Sequence, residues 1–148
     1  MPNLSSNQLK QYNDEGYIAP INILSTEEAI EARKEIELIE KKNPNEIDKK
    51  GRYNVHLISP KLDAIVHNSK ILDTVENIIG KNILVCGTTL FIKNPKEEGF
   101  VSYHQDAKYI GLEPHNWVTA WVAITDSCEE NGLSLIHISE PTRQCIIS

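Results

Sequence analysis

Apolar residues in the first half of the chain recur at the spacing of a helix. Ser25 and Glu28 form a Ser-x-x-Glu capping box, which is typical of a helix start. The apolar residues that follow are separated by three, four and three positions and form one stripe: Ala29, Ala32, Ile36 and Ile39. This pattern predicts a helix that begins after Ser25 and ends in the charged segment 41–51.

A second helical region is predicted over residues 60–79, with an interruption at Asn68-Ser69. Its apolar residues fall into one patch before the interruption and one stripe after it: Leu62, Ile65 and Val66, then Ile71, Leu72, Val75, Ile78 and Ile79. We expect Ser69 to cap the second part. Gly80 suits the helix end, because glycine adopts a left-handed backbone conformation at little cost.

The spacing of apolar residues is no longer helical in the second half of the chain. Residues 82–93 are rich in β-branched side chains and predict a strand, or two strands bent near Gly87. Residues 100–104 are a short strand candidate. Over residues 117–125 apolar side chains occur on both faces of an alternating pattern, so this strand should be buried on both sides. Helices followed by strands predict an α+β fold whose sheet part is a sandwich or barrel.

Composition and charge narrow the class of protein. The chain has 148 residues, which fits one domain, and a formal net charge of -6, which does not favour a nucleic-acid or anionic-membrane partner. No apolar run reaches the roughly 18 residues that span a bilayer. The polar N-terminus has no apolar centre of a signal peptide. We therefore expect a cytoplasmic protein that binds neither membranes nor nucleic acids.

The cysteines and histidines outside any motif have ordinary interpretations. The three cysteines have no Cys-x-x-Cys spacing, so they predict reduced structural thiols, with Cys86 and Cys128 buried. His56, His67 and His115 are expected to lie in loops or on the surface.

A candidate metal motif follows the short strand candidate. His104 and Asp106 are two positions apart, and in an extended chain such residues point to the same side. An imidazole and a carboxylate placed in this way can bind one Fe(II) ion, which leaves positions for a third ligand, a 2-oxo acid and O2. The tripeptide His104-Gln105-Asp106, taken alone, is also typical of a surface turn or a local hydrogen bond.

The surroundings of the motif change its interpretation. Residues 11–132 resemble the phytanoyl-CoA dioxygenase family, and the resemblance is carried by five blocks in the family's order. These are Thr89–Pro95, Val101–Asp106, Tyr109–Leu112, Val118–Ala123 and Glu130–Gly132. An earlier segment, from Tyr12 to Ser25, resembles the family's N-terminal helix lead-in.

The resemblance implies a fold, a reaction and a set of site residues. The fold would be a double-stranded β-helix, a jelly-roll barrel with helices outside. The reaction would couple oxidative decarboxylation of 2-oxoglutarate to hydroxylation of a small organic substrate by O2. His104 and Asp106 match the first two iron ligands. Trp121 and Leu90 match positions that line the 2-oxoglutarate pocket, although Trp121 is equally typical of a core residue.

Two further points of the resemblance concern charged residues. Some family members have an upstream basic residue that contacts the co-substrate, and Arg52 and His56 are both candidates for it. Halogenating relatives replace the iron-binding carboxylate with a small residue. Because Asp106 is retained, hydroxylation is favoured over halogenation.

The last residues depart from the family pattern. The family continues with further strands that carry a distal iron-binding His and an Arg for 2-oxoglutarate, whereas residues 133–148 resemble the translation of a sequencing adapter. We therefore expect a truncated domain over residues 1–132 and an artefactual tail over 133–148. A rival interpretation makes His137 the third ligand and Arg143 the 2-oxo acid contact, but too few residues follow Asp106 to complete a barrel of about 8 strands.

Three functions remain open from the sequence alone. The first is an Fe(II)/2-oxoglutarate-dependent hydroxylase in which this segment supplies half of the site. The second is a jelly-roll binding module without catalysis. The third is a truncated protein with no activity of its own, because a barrel without its last strands exposes sheet edges and apolar interior.

Overall fold

The computed structural model describes most of the chain as helices joined to short strands. The described residues are 4–44, 52–94, 96, 106–114, 116–128 and 145–147. Their helices are α1 (Ser6–Glu15), α2 (Thr26–Lys42), α3 (Pro60–Val66), α4 (Ser69–Ile79) and α5 (Ala107–Ile110), with a 3-10 turn at Val55–Ile58 before α3. The strands are β1 (Ile18–Ile21), β2 (Ala120–Val122) and β3 (Cys145–Ile147).

Helix α2 begins as the sequence predicts. The Ser25 hydroxyl accepts a hydrogen bond from the Glu28 backbone N–H at 3.1 Å, and the Glu28 carboxylate accepts one from the Ser25 backbone N–H at 2.7 Å. These bonds, the backbone one foremost, hold the pKa of Glu28 below its ordinary value. A matching box between Ser5 and Gln8 starts α1, a helix that the apolar pattern did not indicate because none of its residues is buried.

The interruption between α3 and α4 lies where the sequence placed it, but the cap is one residue earlier. Asn68, and not Ser69, is the N-cap of α4, and its side-chain oxygen accepts a hydrogen bond from the Lys70 backbone N–H at 2.9 Å. Ser69 is already the first helical residue. Gly80 ends α4 with φ of +89° and ψ of -179°, a conformation that is essentially restricted to glycine.

The three strands form one antiparallel sheet in the order β1-β3-β2. Between Ile18 and Ile21 the register of β1 against β3 shifts, so β1 is irregular. Pro20 lies within this irregularity, where its missing N–H removes no ladder bond from a central strand. The central strand β3 belongs to the segment that the sequence sets apart as a tail.

Residues 82–93 do not form the predicted strand. Within the described chain the strand pairing of this segment is limited to one isolated antiparallel bridge, between Tyr53 and Thr89. Glycine at position 87 leaves room for Asn54, because a Cβ there would lie 2.8 Å from Oδ1 of Asn54. Cys86, expected to be buried, is exposed.

The observed part is thus mainly helical with few strands. The predicted strand over 117–125 is reduced to the three residues of β2, which are half-buried rather than buried on both faces. A jelly-roll barrel is not seen among the described residues, and the strand candidate at 100–104 lies outside them. No described helix has the length and apolar character needed to cross a membrane.

Two apolar cores hold these elements together. The first centres on α4 and the segment after β1, with Ile23, Ile71 and Val75 buried. The second lies between α2, the 3-10 turn and α3, with Ala32, Ile39, Val55 and Leu62 buried. Ile65 of α3 packs against both, so the two cores are continuous.

The cap assignment gives a matched pair of substitutions at neighbouring positions. Asn68→Ala should lower the free energy of unfolding by about 1 kcal/mol, because the Lys70 N–H loses its acceptor. Ser69→Ala should have almost no effect, because the Ser69 side chain is not the cap and alanine is a better helix former than serine. Urea denaturation followed by circular dichroism measures both, and a larger loss for Ser69→Ala would contradict the assignment.

The packing of α2 gives a second matched pair. Ile39 is 8% exposed and belongs to the second core, whereas Ile30 is 47% exposed on the same helix. Ile39→Ala should destabilise the chain by about 2 kcal/mol or more, because it leaves a cavity. Ile30→Ala should change stability by no more than about 0.5 kcal/mol. Equal losses in the urea midpoint would show that the face of α2 is wrongly assigned.

Candidate metal and co-substrate site

Asp106 is the member of the predicted ligand pair that the structure describes. It directly precedes α5 and is half-buried. Its Oδ2 atom accepts a hydrogen bond of 2.6 Å from the hydroxyl of Thr119. His104 lies outside the described residues, as do His137 and Arg143. The expected two-ligand arrangement therefore stays a prediction.

Thr119 also accepts a hydrogen bond from a tryptophan. The indole Nε1–H of Trp117 donates to the Thr119 hydroxyl oxygen at 3.0 Å. The two side chains meet because residues i and i+2 of an extended chain lie on the same side. The alternating pattern over residues 117–125 places Trp117 and Thr119 on one face, and tryptophan there is typical of a core residue, but the pattern assigns no role to Thr119. The signal that could have found Thr119 was a hydroxyl between apolar residues.

The opposite face of this segment is fixed by the first core. Val118, Ala120 and Val122 pack against the core of Ile23, Ile71 and Val75. Alternation then places Trp117, Thr119 and Trp121 on the other face, as the sequence predicted. Trp121 is half-buried in β2 and opposes Ile146 of β3. Its role beside 2-oxoglutarate stays a prediction.

Leu90 and the candidate basic residues Arg52 and His56 lie close to one another in the described structure. Leu90 packs against the second core, and its backbone N–H donates to the Arg52 carbonyl at 2.9 Å. Arg52 reaches the carbonyl of Ile92 with its guanidinium at 3.4 Å. These contacts connect residues 52–56 with 88–92.

His56 differs from its expected surface location. It is buried in the 3-10 turn, and its Nδ1 atom lies 2.8 Å from the hydroxyl of Thr88. The turn packs on the second core through Val55, which carries His56 inward. His67, by contrast, is exposed at the end of α3, as expected, and His115 lies outside the described residues.

The chemistry of the described residues fits an iron site in part. Among them no group of three or more His, Cys, Asp or Glu side chains comes together. The Asp106 carboxylate is nevertheless a suitable oxygen ligand, and a hydrogen-bonded carboxylate is the usual state of a metal ligand in proteins. One bond from Thr119 is compatible with coordination, because a carboxylate has about four lone-pair positions.

Comparison with known proteins identifies the family. The family model described as phytanoyl-CoA dioxygenase (PhyH) matches residues 12–136. A phytanoyl-CoA dioxygenase domain-containing protein 1 homolog of Dictyostelium discoideum is 31% identical over 78 residues, which cover 53% of this chain and 28% of the relative. The Caenorhabditis elegans homolog is 28% identical over 81 residues, 54% of this chain and 28% of the relative.

The coverage of these relatives is limited. The Danio rerio phytanoyl-CoA dioxygenase domain-containing protein 1 is 28% identical over 79 residues, 53% of this chain and 27% of the relative. The matched part of the chain thus spans little more than a quarter of the curated relatives. No solved structure gives a significant match. Because the family model covers most of the sequence and includes His104 and Asp106, the chain belongs to the phytanoyl-CoA dioxygenase family.

Proposed function

We propose that the protein containing this chain is an Fe(II)- and 2-oxoglutarate-dependent oxygenase that hydroxylates a small organic substrate. The observation that carries the proposal is the family match over residues 12–136, which includes the His-x-Asp motif. The half-buried, hydrogen-bonded carboxylate of Asp106 supports it, because such a carboxylate is suited to holding a cation.

The roles of the residues follow from the family resemblance, and their chemistry agrees with it. His104 and Asp106 would hold the iron, with a neutral imidazole nitrogen and a carboxylate oxygen as donors. Trp121 and Leu90 would border 2-oxoglutarate with apolar surface, which keeps water from the reacting groups. When bound, iron and 2-oxoglutarate supply the oxidising power. O2 converts 2-oxoglutarate to succinate and CO2, and the substrate C–H becomes C–OH.

The proposed architecture is a jelly roll with external helices, and it rests on family membership. The division into a domain over 1–132 and a foreign tail over 133–148 is part of the same proposal. Strand β3, at Cys145–Ile147, would then belong to the tail and not to the domain. The proposed small-molecule substrate rests on family membership, and substrate choice in such folds resides largely in loops.

Substitution of Asp106 tests the proposal. In the active protein that contains this chain, Asp106→Ala should lower Fe(II)-dependent succinate formation by at least about 100-fold, since loss of even an outer partner of a ligand costs about 10–100-fold. Asp106→Asn keeps the shape of the side chain but removes its charge. It should lower succinate formation by at least the roughly 10–100-fold that loss of an outer partner costs. Retention of full hydroxylation by either variant would refute the ligand assignment.

A surface carboxylate provides the control. Asp63 lies on α3, has a side chain that is 46% exposed and contacts His67. Asp63→Ala should leave succinate formation within about 2-fold, as expected for an exposed site. If the unsubstituted protein folds cooperatively but neither binds Fe(II) nor consumes 2-oxoglutarate, the oxygenase proposal is wrong and a non-catalytic binding module is supported.

A further inference from the structure

Three side chains form a hydrogen-bonded series that ends on the candidate iron ligand. The indole of Trp117 lies 3.0 Å from the hydroxyl oxygen of Thr119, which lies 2.6 Å from Oδ2 of Asp106. All three side chains are partly buried. We call Trp117, Thr119 and Asp106 the relay.

The direction of the relay follows from the chemistry of its members. An indole nitrogen can only donate, an ionised carboxylate can only accept, and a hydroxyl has one proton and two lone pairs. When Trp117 donates to the Thr119 oxygen, the hydroxyl proton of Thr119 is left to point at Asp106. Trp117 therefore orients the hydroxyl proton of Thr119 toward Asp106, because the indole N–H can act only as a donor to Thr119.

The length of the second bond indicates a strong contact. Hydrogen bonds from a hydroxyl to a carboxylate are typically about 2.5–2.7 Å long and about twice as strong as neutral ones. The 2.6 Å bond lies in this range, whereas the 3.0 Å bond from the indole is an ordinary neutral bond. Bonds in series also polarise one another, so the indole strengthens the hydroxyl as a donor.

The relay starts from a rigid part of the fold. Val118, Ala120 and Val122 are packed on the first core, so the backbone on both sides of Thr119 is held in place. Asp106, thirteen residues earlier, lies outside the strands and precedes the short helix α5. The relay therefore connects the segment that carries the metal motif to a segment fixed by packing.

We propose that Thr119 is a positioning residue that sets the orientation of the Asp106 carboxylate for the metal, and that Trp117 orients the Thr119 hydroxyl. This proposal rests on the proposed function for the presence of the metal. The two hydrogen bonds from which the positioning role is argued do not depend on that function. Thr119 acts through Asp106 and touches neither substrate nor co-substrate in this role.

Metal affinity separates positioning from a merely structural role. Mn(II), which does not consume O2 in the absence of substrate, is titrated into the active protein that contains this chain, and its free concentration is followed by electron paramagnetic resonance. Thr119→Val keeps the shape of the side chain but removes the hydroxyl, and should weaken Mn(II) binding about 10-fold, the lower range for loss of an outer partner. Thr119→Ser restores the hydroxyl and should bind within about 3-fold of the unsubstituted chain.

A buried threonine elsewhere is the matched control. Thr74 in α4 is 3% exposed, and its hydroxyl donates to the Lys70 carbonyl at 2.7 Å. Thr74→Val should lower the thermal unfolding midpoint without changing the dissociation constant for Mn(II). If Thr119→Val behaves as Thr74→Val does, with unchanged Mn(II) affinity, the positioning role is refuted.

The relay itself is observable without metal. The chain has two tryptophans, so its proton–nitrogen NMR spectrum contains two indole N–H signals. Both Thr119→Val and Asp106→Asn should shift the Trp117 signal by more than the Trp121 signal, and Thr119→Ser should return it toward its original position. A Trp117 signal that is unchanged in Thr119→Val would show that the relay does not form.

The two measurements distinguish the failure of this proposal from that of the oxygenase proposal. If the active protein that contains this chain binds no Mn(II), the metal site is refuted and the positioning role with it, even when the indole signals are coupled. If that protein binds Mn(II) and its Thr119→Val variant binds it equally well, only the role of Thr119 is refuted.

Discussion

The alternation of side chains over residues 117–122 is the constraint on which the candidate site depends. Val118, Ala120 and Val122 are drawn into the first core because burying their apolar surface is favourable. Successive side chains of an extended chain point to opposite sides, so this burial fixes the side on which Thr119 lies. The Thr119 hydroxyl then donates its hydrogen bond to Asp106 from that side. A slip of one residue would reverse the faces and place a threonine and two tryptophans toward α4.

The predictable part of the fold was the part with local, periodic signals. The start of α2 followed from Ser25 and Glu28, whose two hydrogen bonds lie within four residues of sequence. The break before α4 followed from Asn68-Ser69, although the choice between two capping residues depended on backbone geometry that the letters do not contain. Helix α1 was missed because its cap is clear but its residues are not buried, so no apolar stripe marks it.

Long-range pairing limited the prediction of strands. Residues 82–93 have the composition of a strand, yet a strand exists only where a partner supplies hydrogen bonds, and here the described partner is limited to the neighbourhood of Tyr53. In the same way β-composition at 117–125 became a strand only opposite β3, over Ala120–Val122. At the site, the motif and its family context identified Asp106. They did not identify Thr119, because contact between residues 106 and 119 depends on tertiary structure.

The identity of the donor to Asp106 bears on what the carboxylate can do. A lysine or arginine in the place of Thr119 would orient the carboxylate but also offset its charge, and a cation would then be bound less strongly. A hydroxyl orients the group through a short, directional bond while it carries no net charge itself. Because the indole of Trp117 is also neutral, the relay restrains the orientation of the carboxylate without adding positive charge. A neutral donor series is therefore the arrangement that both restrains a carboxylate and preserves its attraction for a divalent metal.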